Sequence, residues 1–156
     1  MTDEATVKAR RHCLRLLARR EFSAAELRGK LALKGYSAPV ITAVLDEMRQ
    51  AGWQDDGRYA DSVVRNQAGR GFGPLAIRHR LLHAGVDDAA APALAEIDWR
   101  AALAAVYQKK YGDTYPGDCA EYAQRGRFLQ NRGFSVEQIR DFFNQLKRHT
   151  PKSLSE

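Results

Sequence analysis

The sequence predicts an all-α fold: three tandem three-helix repeats, helix-turn-helix-like units set in an elongated, curved array. Three observations carry that reading. Apolar residues return at helical spacing, with no strand-like alternation anywhere. Helix start and stop signals follow one another in a fixed order. That order then repeats at an offset of 50 residues, a period expected of stacked helical units that bury their apolar faces on one another. The expectation is nine helices, with units at 1–52, 53–98 and 99–150 and a tail at 151–156.

In the first unit, Val7, Leu14 and Leu17 recur at helical spacing over residues 6–20, which predicts an amphipathic helix with a strongly basic outer face. Ser23-Ala24-Ala25-Glu26 is a capping box. Phe22 before it and Leu27 after it form a hydrophobic staple, so a second helix begins there. It runs to Lys34 and stops at Gly35, a residue free to take the left-handed conformation of a helix C-terminus. Tyr36 packs back, Ser37 caps, Pro39 fits the first turn, and a third helix continues to Ala51 before Gly52.

The offset of 50 carries Arg15 to Arg65, Arg20 to Arg70, Phe22 to Phe72, Ser23 to Gly73, Leu27 to Ile77, Arg28 to Arg78, Lys30 to Arg80, Leu31 to Leu81, Gly35 to Gly85 and Ser37 to Asp87. Asp55 or Asp56 opens the second unit and Asp98 the third. A further shift of 48 reaches Leu129, Gly133, Phe134 and Ser135, the last forming a second capping box with Gln138. This third copy is looser, because the long YGDTYPGD joins its first two helices and its basic pairs do not line up. Within the second unit, Gly69-Arg70-Gly71-Phe72-Gly73 reads as a flexible bend between helices, with Pro74 starting the next one.

Few function classes survive. The bend lacks the lysine and the preceding strand of a phosphate-binding loop. His79 and His83 lie four apart on one helix, yet no cysteine or carboxylate near them in sequence completes a metal set. Asp55, Asp56 and Asp61 read as helix-start residues favoured by the dipole rather than as an acid–base group. No enzyme, cofactor or metal is expected. Cys13 and Cys119 are the only cysteines, and without a disulfide framework or a long apolar N-terminal run the expected setting is the cytoplasm, with reduced thiols and no membrane contact.

With 44% hydrophobic and 28% charged residues, the chain is able to bury a core, and its net charge of +6 favours polyanions or acidic protein surfaces. Residues 5–20 hold Lys8, Arg10, Arg11, Arg15, Arg19 and Arg20 with no acid among them; residues 62–86 hold Arg65, Arg70, Arg78 and Arg80, again with none. The helices that would enter a DNA groove, APVITAVLDEMRQA and DAAAPALAEI, are poor in bases, which argues against sequence-specific readout. Phe22, Phe72, Tyr36, Phe134, Trp53, Phe142 and Phe143 sit at staple, post-glycine or core positions and read as packing rather than as stacking platforms.

The run GWQDDGRYADSVVRNQAGRGFGPLAIRHRLLHAGV, with Trp53, Asp56, Arg58-Tyr59-Ala60, Arg65, Gly71 to Pro74, Ile77, Leu81 and Gly85-Val86, resembles the central signature of RecX, a bacterial family of regulators of the RecA recombinase. The first helices and GRFLQNRGFSVEQIRDFF are similar to the family too, so the likeness spans nearly the whole chain. It implies a non-enzymatic modulator that binds RecA, lies along the groove of the RecA filament on single-stranded DNA and inhibits its ATPase, coprotease and strand-exchange activities; a monomer is expected. The contact residues expected are Arg58, Arg65, Arg70, Arg78, Arg80, Arg28, Lys30 and Arg15. The alternative is a helical repeat that binds nucleic acid directly, without sequence preference.

Overall fold

A computed structural model of the chain describes residues 3–87 and 92–150. Among them it has nine helices and no strand: α1 Glu4–Arg19, α2 Ala24–Leu33, α3 Ala38–Gln50, α4 Asp56–Gly69, α5 Pro74–His83, α6 Ala93–Glu96, α7 Trp99–Tyr111, α8 Cys119–Asn131 and α9 Val136–His149. Of the stretch DAAAPALAEI, residues 88–91 lie outside the described residues, and the helix within the rest is short. The tail at 151–156 is likewise outside them. The described residues form two compact units, one drawn from 3–64, 80–87 and 92–93, the other from 65–79 and 94–150. Helices α4 and α5 each divide their residues between the two.

In the first unit the local signals act as read. Ser23 and Glu26 form the capping box of α2, Ser37 accepts from Val40 N at α3, and Pro39 sits in the first turn. Ala9, Cys13, Leu27, Leu31, Ile41, Val44, Leu45 and Met48 make a core with the staple residue Phe22, and Tyr36 packs against it. Each fully buried leucine here stabilises the fold by about 1.5–3 kcal/mol relative to exposure. Burial also pushes the Cys13 thiol up to about 11, so it serves as a small core side chain rather than a reactive thiol.

Ser23 does more than cap. Its Oγ accepts from Glu26 N at 3.0 Å and donates to Ala84 O at 2.7 Å, fully buried. Next to that bond, Gly85 has φ +75°, and a Cβ there would lie 2.6 Å from Ala25 Cβ. The turn after α5 therefore packs directly on the first turn of α2. Asp56 Oδ1 ties the same spot from the start of α4, accepting from Ala24 N at 2.9 Å and from Gln54 Nε2 at 2.8 Å. Asp55 is the residue that caps α4, accepting from Arg58 N.

The second unit contains the same joint in different chemistry. Gly73 N donates to Arg132 O at 2.7 Å and Leu75 N to Gly133 O at 2.9 Å, so the turn after α8 packs on the first turn of α5. A Cβ on Gly73 would lie 2.5 Å from the Gly133 carbonyl carbon, and one on Gly133, whose φ is +99°, 2.6 Å from Ala76 N. The expected flexible bend at residues 69–73 is thus a packed contact: Gly73 is glycine because another backbone occupies the Cβ space. The core beside it is Leu103, Tyr107, Leu129, Phe134, Ile139 and Phe143. Arg125 holds the long α7–α8 connection by donating to Tyr107 Oη at 2.7 Å and Thr114 O at 2.9 Å.

One packing expectation fails. Trp53 is 58% exposed, and the next residue, Gln54, takes the inward position instead, buried with its Nε2 donating to Phe22 O at 3.2 Å. Phe22, Phe134 and Phe143 are buried as expected, while Phe72, Tyr36 and Phe142 are half-buried.

Candidate partner-binding surface

The eight cations singled out by sequence are all exposed, and they fall into two sets. Arg15, Arg28, Lys30, Arg58 and Arg80 belong to the first unit, and Arg65, Arg70 and Arg78 to the second. On α1 and α2 the positive charge converges around His12. Partial burial is the largest cause of that imidazole's lowered pKa, and the charges of Lys34, Arg15 and Lys30 push the same way. Such mutual repulsion between like charges marks a surface that an anion would stabilise. Arg28 Nη1 reaches Thr42 Oγ1 at 3.4 Å on α3. Arg80 lies near Tyr59, whose hydroxyl burial pushes up, aided by Glu26 and opposed by Arg20 and Arg80.

Arg58 differs from the others. Its Nη2 donates to Gly52 O at 2.8 Å and Trp53 O at 3.2 Å, and its Nε pairs with Glu21 Oε1 at 3.1 Å. The guanidinium fastens the α3–α4 turn to the end of α1, which leaves it fewer donors for a partner.

In the second unit Arg70 joins cations absent from that sequence-based set. A groove of about 520 Å³ runs between the end of α4, one face of α7 and α8, with Arg70, Lys109, Lys110 and Arg132 around a floor that includes Val106 and Phe128. No carboxylate lines it, and none of the four cations is ion-paired among the described residues. Lys110 Nζ lies 3.9 Å from the Phe128 ring centroid, so that face is covered and does not serve as a base-stacking platform. Arg132 Nη1 also donates to Arg70 O at 3.4 Å. The signal for the two lysines was present in sequence, but bases in the last turn of a helix also have a local explanation in the helix dipole. His79 and His83 are exposed on α5, and no group of three or more His, Cys, Asp or Glu among the described residues could hold a metal. No helix of the described residues is long and apolar enough to cross a membrane.

Three consecutive family models match. Residues 9–48 match the first three-helix domain of RecX, residues 55–91 the second and residues 96–143 the third. The chain belongs to the RecX family. Among its RecX relatives, the protein named regulatory protein RecX in Acidithiobacillus ferrooxidans is 45% identical over 127 residues, covering 81% of this chain and 83% of that one. The protein of the same name in Halorhodospira halophila is 38% identical over 139 residues, covering 87% and 86%. The crystal structure of RecX from Lactobacillus salivarius superposes with a TM-score of 0.79 at 20% identity, covering 93% of this chain and 98% of that one, and so shares the RecX fold.

Proposed function

We propose that the protein is a non-enzymatic regulator that docks on the RecA filament and suppresses its ATPase, coprotease and strand-exchange activities, acting in the cytoplasm on recombination and DNA repair. The observation that carries this reading is the run of three RecX domain matches in RecX order, together with relatives named as regulatory proteins. The units at 1–52, 53–98 and 99–150 are the proposed contact modules. Exposed cations on both compact units support it physically. Linked modules that touch one extended partner gain affinity through effective concentration, and basic surfaces beside a DNA-containing filament add attraction that weakens with salt.

The test is charge reversal. Arg65→Glu, Arg78→Glu and Arg80→Glu together should weaken inhibition of the DNA-dependent ATPase of RecA while helical circular dichroism is retained. Unchanged inhibition would remove these three cations from the proposed contact residues. The second reading, direct nucleic-acid binding, is favoured by the uncompensated cations of the α4–α7–α8 groove. It predicts binding to bare DNA with a steep salt slope and no effect on RecA.

A further inference from the structure

The fold uses one contact twice. After α5, the turn at Ala84-Gly85 packs on the first turn of α2, with Ala84 O accepting from Ser23 Oγ. After α8, the turn at Arg132-Gly133 packs on the first turn of α5, with Arg132 O and Gly133 O accepting from Gly73 N and Leu75 N. The sequence holds a third such turn, Lys34-Gly35 after α2, at the same register. It has the same left-handed glycine, with φ +87°, but among the described residues nothing lies within 4 Å of where a Cβ on Gly35 would stand. The residue after the glycine records the difference: Val86 and Phe134 are 2% and 0% exposed, while Tyr36 is only half-buried.

We propose that the Lys34-Gly35 turn is a docking surface for the first turn of a helix on the partner protein. The occupant's chemistry follows from the two internal examples. A small or hydroxyl residue at the N-cap, Ser23 in one and Gly73 in the other, lets a side-chain or backbone donor reach the turn carbonyls. A small residue in the first turn, Ala25 in one and Ala76 in the other, admits the glycine. Lys34 on the open turn, not ion-paired among the described residues, favours an occupant with acidic residues in that first turn, where the helix dipole also favours them. The proposal rests on the reading that the partner is RecA, and it names the kind of element this end of the chain would grip.

Gly35→Asn separates docking from folding. Asparagine tolerates the left-handed region, and at Gly35 its side chain enters open space. The same side chain fills the volume that a docked helix would take. Gly52→Asn, at another open left-handed glycine, is the control. Binding to RecA assembled on single-stranded DNA is measured for wild type and both variants, with sedimentation of each protein alone. Expected is a loss of affinity of about tenfold or more for Gly35→Asn alone, the scale of an interface hot spot, with an unfolding midpoint lowered no further than that of Gly52→Asn, which carries the same left-handed strain. Wild-type binding matched by Gly35→Asn would overturn this contact and leave the filament reading standing. No binding by wild type would overturn both. Self-association of wild type that Gly35→Asn abolishes, with RecA binding intact, would assign the turn to a second copy of this chain and overturn the proposal.

Discussion

The joint at Ser23 and the joint at Gly73 perform the same task with different atoms. In the first, a side-chain hydroxyl both caps its own helix and reaches Ala84 O. In the second, no side chain intervenes: backbone N–H groups of Gly73 and Leu75 meet the carbonyls of Arg132 and Gly133. Removing the side chain brings the two backbones so close that neither Gly73 nor Gly133 has room for a Cβ. The serine joint is held by a hydrogen bond that a variant could lose. The glycine joint is held by proximity that a variant would violate. Two positions 50 residues apart can therefore be equivalent in the fold and unequal in what they tolerate.

That inequality is open to direct attack. The largest effects belong to Gly73→Ala and Gly133→Ala, each expected to cost about 3 kcal/mol or more, because backbone must move or, at Gly133, a left-handed residue must also carry a side chain. Urea unfolding followed by the fluorescence of Trp99, in a Trp53→Phe background, reads the second unit, since these are the only tryptophans. Ser23→Ala should cost less, about 1–3 kcal/mol, through loss of the cap and an orphaned buried carbonyl at Ala84. Trp53 fluorescence in a Trp99→Phe background is the matching probe of the first unit. An exchange sharpens the contrast: Ser23→Gly keeps a good N-cap and loses about 1 kcal/mol with the Ala84 bond, whereas Gly73→Ser is as damaging as Gly73→Ala. Equal effects of the two exchanges would mean that the joints are chemically interchangeable. The smallest effect is expected at Gly35→Ala, about 1–2 kcal/mol from the left-handed backbone alone, since no neighbour stands in the way.

Local chemistry was legible in the sequence. The capping boxes at Ser23 and Ser135, the staple at Phe22 and the glycine stops at Gly35, Gly85 and Gly133 are interactions among residues a few positions apart, and the sequence writes both partners together. The Gly73–Gly133 contact was hidden because its partners are 60 residues apart and neither carries a side chain to signal it. The offset of 50 placed Gly73 opposite Ser23, but a glycine at a cap reads equally well as a bend. Trp53 misled for a related reason: a large apolar residue after a helix-ending glycine usually packs back, and only the tertiary course of the chain shows that this one does not. Arg58 reads in sequence as a surface charge, whereas in the fold the carbonyls of Gly52 and Trp53 hold it. The groove cations Lys109, Lys110 and Arg132 escaped because α7 and α8 meet the end of α4 only in three dimensions.

The central claim, regulation of RecA, is tested most directly by titrating the protein into RecA bound to single-stranded DNA and following ATP hydrolysis, from well below equimolar upward. The account predicts a dose-dependent fall in hydrolysis, with the Arg65, Arg78 and Arg80 charge-reversal variant shifted to higher concentration. Unaltered hydrolysis at equimolar protein, with the fold intact by circular dichroism, would contradict it.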